Sequence, residues 1–290
     1  MGKKRTVVMV SVMVVCCVLI LGMQSGYTQT TLEKIKARGS IVVGYSNETP
    51  FAYAKTDGTL VGADVEILDY IMKKMGVGKI EGGLTEFGSL IPGLLAKRFD
   101  LITSAIYIKP DRCKQVAFSE ILYIVGDTIV VPKGNPKNIH SFRDVVANPK
   151  IKLGMPTGGT GMSDKAIAMG VKPEQFVMFP DLPSGFAAVL AGRVDGYLTT
   201  GMTGETQLRA MNDPRLERAA PFEQAVIDGK VAYGIIGFAI RLEDTDLLAE
   251  INKHLLAFRG TPSYIAILEK YAMTKDDLPT TETTAKACSQ

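Results

Sequence analysis

The chain has 290 residues, 46% of them apolar and 22% charged, with 29 glycines, four cysteines and no tryptophan; 33 Lys and Arg stand against 30 Asp and Glu. A formal charge of only +3 argues against the basic face that nucleic-acid binding calls for. The length suffices for one large core or two smaller ones.

Lys3-Lys4-Arg5, an almost wholly apolar stretch over 7–23 and a polar segment over 24–29 predict a secretory leader at 1–30. Export implies a periplasmic location, and no later apolar run is long enough to span a bilayer. An uncleaved anchor is the alternative, because the apolar run is long for a leader. Val15 and Cys16, before Cys16 and Cys17, are not the small residues that a lipoprotein signal needs. Three of the 33 basic residues lie in the leader and none of the acidic ones, so the mature chain is formally neutral, 30 against 30. Cleavage also removes Cys16 and Cys17. Cys113 and Cys288 remain as a candidate disulfide in an oxidising compartment, with two free thiols as the other reading. His140 and His254 stand alone, and no Cys or His recurs at ligand spacing, so neither metal nor cofactor is expected.

In chain order, 31–39 reads as a short helix closed by Gly39, and 40–45 as a strand. Val65, Leu68, Ile71, Met72 and Met75 fall at helical spacing before Gly76. A strand is expected at 79–84, a helix from Ser89 to about Lys97 with Pro92 in its first turn, and a buried strand at 100–105. This strand–helix alternation predicts a parallel sheet with helices on both faces. The β-rich run 128–131, stopped by Pro132, reads as a crossover into a second lobe. That lobe repeats the pattern with strands at 151–155, 175–179 and 195–199, a glycine-rich turn at 157–161, and helices at 162–168 and 183–191. The phrases Leu95-Ala96-Lys97-Arg98-Phe99-Asp100 and Leu190-Ala191-Gly192-Arg193-Val194-Asp195 occupy corresponding places in the two halves. The run 231–240 reads as a return crossover, 247–258 as a long helix, and the polar tail from Thr280 as loose.

Phe87 and Tyr107 lie on loops flanking the 100–105 strand, and Arg112 opens the next segment. In an open α/β sheet such loops form ligand sites. Aromatic rings with a guanidinium can hold an organic cation and an anion together. The glycine-rich turn before a helix suits a carboxylate or phosphate, and it lacks the Lys-Ser/Thr of a nucleotide loop. The bland readings, core aromatics and turn chemistry, stay open at this level.

The mature chain, from Thr31 to about Leu278, resembles the extracellular solute-binding proteins of ABC importers for polar amino acids. The resemblance rests on Ile41-Val42-Val43-Gly44, Pro50-Phe51, residues 62–66, Leu90-Ile91-Pro92-Gly93-Leu94, Asp100 with Pro110-Asp111-Arg112, and Ala187 with Val189 to Asp195. It implies a type II periplasmic-binding-protein fold: lobe 1 from 31–131 plus 232–290, lobe 2 from 132–231, two hinge crossovers, and a monomer that delivers its ligand to a membrane permease. Asn47-Glu48-Thr49-Pro50-Phe51, Thr85-Glu86-Phe87-Gly88-Ser89 and Tyr107 to Cys113 are most similar to the ectoine and hydroxyectoine binders. That likeness implies a cage of Phe51, Phe87 and Tyr107, Glu48 on the ring N–H groups, Arg112 on the carboxylate and Thr160 as the second-lobe contact. Amino-acid binders of the family usually hold the α-ammonium with an acid just after the second-lobe strand. Here that segment reads Thr199-Thr200-Gly201-Met202-Thr203, although Glu205 lies nearby. A polar amino acid, another compatible solute such as betaine, or a dehydratase on the same scaffold are the alternatives.

Overall fold

The computed structural model describes residues 29–157, 161–279 and 281–289. Residues 1–28 of the expected leader, and Thr160, lie outside them.

Two five-stranded sheets, each flanked by helices, build the two-lobed plan expected of a type II periplasmic-binding-protein fold. In lobe 1 the strands Lys79–Leu84, Ser40–Tyr45 and Leu101–Ile102 run parallel in that order. The return strand Ala239–Arg241 then lies antiparallel between Leu101–Ile102 and Val116–Phe118. Lobe 2 repeats the plan: Phe176–Phe179, Leu153–Pro156 and Gly196–Thr200 are parallel, and Asp127–Pro132 lies antiparallel between Gly196–Thr200 and Leu216–Arg218.

The strand Asp127–Pro132 therefore belongs to the second sheet, which corrects the sequence-based assignment of 127–131 to lobe 1. The lobes are joined by a two-stranded link in which Ile124–Val125 pairs antiparallel with Gly234–Ile235. A β-rich run read from sequence does not disclose its partners, and the cross-strand pairing alone decides which sheet takes it.

Local chemistry explains the elements that frame the cleft. Helix Thr31–Arg38 starts in a capping box, with the Thr30 hydroxyl accepting from Glu33 N and Glu33 accepting from Thr30 N. Helix Leu90–Leu95 is short, and its C-terminal carbonyls need partners. Buried Arg241 donates through Nη1 to Leu94 O (3.1 Å) and Phe99 O (2.8 Å) and pairs with Asp244 (2.7 Å). The return strand is thus pinned to the segment that begins at Phe87. The tail expected to be loose instead forms helix Thr284–Ser289, with Ala287 buried and Cys288 disulfide-bonded to Cys113.

Candidate functional site

The loop after Ser40–Tyr45 carries Glu48. Phe51 N donates to Glu48 O (2.8 Å), and Glu48 N donates to Ala52 O (2.8 Å), closing a tight turn with Thr49–Pro50 in cis. The Glu48 side chain is half-buried and lines a cavity between the lobes. The turn sends Phe51 elsewhere: its ring is fully buried and stacked on Tyr123 at 5.9 Å. Phe51 is not among the residues facing the cavity: of the three rings implied by the resemblance, Phe87 and Tyr107 line it, and Phe51 packs on Tyr123 instead.

Phe87 opens the short 3-10 turn Phe87–Ser89, and the Arg112 guanidinium lies 5.3 Å from its ring centroid. Arg112 sits on the short helix Pro110–Cys113, is 6% exposed, and donates through Nη1 to Tyr107 O at 3.1 Å. The neighbouring Cys113 is bridged to the C-terminal helix, which fastens the helix carrying Arg112 from behind.

Tyr107 is buried between the lobes. A Cβ on Gly161 would come within 2.2 Å of its Cδ2, and one on Gly234 within 2.2 Å of its Cζ. Only glycine at these two points lets the ring lie flush against both the start of helix Gly161–Ala168 and the return crossover.

The cleft cavity, ≈ 20 Å³, is lined by Glu48, Phe87, Tyr107 and Arg112 from lobe 1 and by Pro156, Gly161, Met162 and Thr200 from lobe 2. The lobes stand nearly shut. At the rim Lys109 of lobe 1 reaches Asp164 of lobe 2 at 2.7 Å. Pro156 and Gly161 flank the glycine-rich turn, but Thr200, which caps helix Gly201–Met211 by accepting from Thr203 N, was not singled out from sequence. Glu205 is turned away from the cleft and pairs with Arg209 (2.8 Å). A roomier cavity, ≈ 320 Å³, runs along lobe 2 from Gly126 and Thr128 to Arg218 and Phe222 and reaches Asp277 of lobe 1; none of the sequence-predicted residues lines it.

Burial pushes the Glu48 carboxyl up to about 8, helped by the nearby Asp64 charge and opposed by Arg112. Asp64, pushed up to about 6 by burial, accepts from Tyr123 Oη and from Ala105 N (2.8 Å). Ala105, at φ 46°, precedes Tyr107, so Asp64 braces the loop that carries that ring. Burial lowers the Arg112 pKa, and Asp111, Asp164, Tyr107 and Glu48 oppose that shift. The cleft thus presents an acid short of positive partners, a desolvated guanidinium and two aromatic rings, a set suited to a small ligand carrying both charges. No cluster of metal-binding side chains occurs among the described residues.

Known proteins share this organisation. The chain is 34% identical over 263 residues to the probable amino-acid ABC transporter periplasmic-binding protein y4tE of Sinorhizobium fredii, covering 89% of this chain and 86% of the relative. It is 25% identical over 266 residues to the L-cystine-binding protein TcyJ of Escherichia coli, covering 91% and 94%. The crystal structure of EhuB in complex with hydroxyectoine superposes with a TM-score of 0.80 at 31% identity, covering 89% of this chain and 97% of that one. Residues 41–274 match the bacterial extracellular solute-binding proteins, family 3, and the chain belongs to that family as the solute-binding component of an amino-acid-type ABC importer.

Proposed function

We propose that this protein captures ectoine or hydroxyectoine by closure of its two lobes and hands it to a membrane permease. The observation that carries the reading is that Glu48 and Arg112 line one cavity together with Phe87 and Tyr107. Ectoine is a compact zwitterion whose positive charge is spread over a cyclic amidinium. A delocalised cation suits aromatic walls, its N–H groups suit the Glu48 carboxylate, and its own carboxylate suits the planar fork of Arg112. Thr160 would add a contact from the glycine-rich turn. The likeness to a hydroxyectoine complex supports the reading from outside the chain.

The nearly filled cleft makes entry conditional on the lobes parting at the paired strands Ile124–Val125 and Gly234–Ile235. Closure then removes water from both charge pairs, which strengthens each of them. A quaternary ammonium such as betaine could use the rings but would leave Glu48 without N–H partners. An α-amino acid would find Thr200, not an acid, on the facing lobe.

Titration calorimetry against ectoine, hydroxyectoine, betaine, arginine, glutamine and cystine tests the proposal. Micromolar or tighter binding of ectoine or hydroxyectoine is expected. Binding of both no tighter than millimolar, with an amino acid at micromolar, would remove it.

A further inference from the structure

Beneath the cleft lies a buried ion pair with no place in the ligand scheme above. Asp127, at the start of the first lobe 2 strand, is 2% exposed, and Lys165, on helix Gly161–Ala168, is 8% exposed; their charged atoms are 2.6 Å apart. Three hydrogen bonds hold the pair. Gln224 accepts from Asp127 N (2.7 Å) and donates to Asp127 O (2.9 Å), while Lys165 Nζ donates to Ala232 O (3.1 Å).

Burying two charges is costly, and replacing such a pair by apolar groups is often neutral or stabilising. A pair kept in this setting therefore calls for a role besides stability. Its surroundings supply one. Lys165 Nζ lies 5.4 Å from the Tyr107 ring centroid, the Tyr107 hydroxyl is buried, and burial followed by the Asp127 charge raises the pKa of that hydroxyl. Gly161, one helical turn before Lys165, meets the same ring, as does Gly234 on the return crossover. Tyr107 belongs to lobe 1, whereas Gly161, Lys165 and Asp127 belong to lobe 2.

We propose that Asp127 and Lys165 are positioning residues for Tyr107: they form the charged floor of a slot in lobe 2 that receives the Tyr107 ring when the lobes close. The ammonium faces the ring and the carboxylate holds the ammonium in place, so one aromatic side chain of the ligand site is held from the opposite lobe. Closure and the setting of that ring become a single event. The inference rests on capture by closure and on Tyr107 lining the site, but not on which solute is captured.

A double-mutant cycle tests it on the full chain, with hydroxyectoine affinity as the readout. Asp127→Asn is expected to weaken binding about tenfold in the wild-type background and less than about twofold in a Tyr107→Phe background, the non-additivity expected of a direct pair. The Asp127→Asn/Lys165→Met variant removes both charges and guards against unfolding from an unpaired buried lysine; it should keep its Tm and still lose affinity. Equal losses with and without the Tyr107 hydroxyl, or no loss at all, would overturn the proposal. A pair that merely held lobe 2 together would lower Tm and leave the cycle additive. If the wild-type chain fails to bind hydroxyectoine, the ligand assignment falls by itself. The cycle is then read from the radius of gyration of the ligand-free protein by small-angle scattering: expansion on Asp127→Asn that vanishes in the Tyr107→Phe background supports the slot, and no expansion overturns it.

Discussion

The two lobes solve the same folding problem with the same phrase and then diverge at the cleft. Asp100 N donates to Val42 O and its Oδ2 accepts from Val42 N, both within 2.9 Å. Asp195 does the same to Lys152 O and N, both at 2.8 Å. Each Asp follows a left-handed turn residue, Lys97 at φ 58° and Gly192 at φ 66°, and fixes where the next strand joins the sheet. Beyond these strands the resemblance stops. Lobe 1 sends an acid, two rings and a guanidinium into the cleft, and lobe 2 sends Pro156, Gly161, Met162 and Thr200. A shared backbone plan therefore leaves the loops free to specialise, with the charged and aromatic lining of the cleft on lobe 1 and a mostly neutral face on lobe 2.

The most direct way to break that division is to remove its strongest charge. Arg112→Ala should weaken hydroxyectoine binding by roughly 100-fold or more, because the ligand carboxylate would be buried without a partner. A loss of only a few-fold by calorimetry would mean that lobe 2 supplies the anion contact. Glu48→Gln comes next, at roughly 10- to 100-fold, the scale of a hydrogen bond to a charged group. It carries a pH signature as well. With a folded pKa near 8 against an ordinary 4.5, ligand-free Glu48 keeps its proton when the unfolded chain has lost it, so the stability it contributes is whole below about pH 4.5 and declines as pH rises toward 8. Ligand-free Glu48→Gln should therefore have a higher Tm than wild type at pH 8 and an equal one at pH 4.

Thr200→Asp would sharpen the contrast by giving lobe 2 an acid. Asp is as good a helix cap as Thr, so the fold should hold. Affinity for arginine should rise at least about tenfold relative to hydroxyectoine, since a new charge pair at ε ≈ 20 contributes up to about 4 kcal/mol at 4 Å. An unchanged ratio in competition binding would show that Thr200 does not set selectivity. The smallest effect belongs to the rim. Lys109→Ala removes the bridge to exposed Asp164 and should cost about two- to threefold in affinity at low salt, and nothing measurable near 1 M salt.

Much of this was legible in the linear pattern. The strands Ser40–Tyr45 and Lys79–Leu84 have the bounds expected from their sequence, the first as a β-prone run after Gly39 and the second from its place in the strand–helix alternation. The predicted 100–105 strand shrinks to Leu101–Ile102, because from Ala105, at φ 46°, the chain leaves the ladder to build the site loop. Glu48, Phe87, Tyr107 and Arg112 were named from sequence and share one cavity, while Phe51 was named with them and lies in the core. Motif spacing gives a residue's place on a turn, but which side of the turn its ring takes is set by packing, here by the stack on Tyr123. Asp127 gave no more signal than a lone acid before an apolar run. Its importance comes from Lys165, 38 positions away, and from a ring on the other lobe.

Composition, breakers and periodicity by themselves determined an α/β chain with two repeats of one plan, because these depend on neighbours a few residues apart. Only the tertiary structure decided that Asp127–Pro132 joins the second sheet, that Phe51 leaves the cleft, and that Tyr107 meets Gly161 and Gly234. Each of those outcomes is a contact between distant segments. Their energies depend on shape and burial that no local stretch of sequence contains.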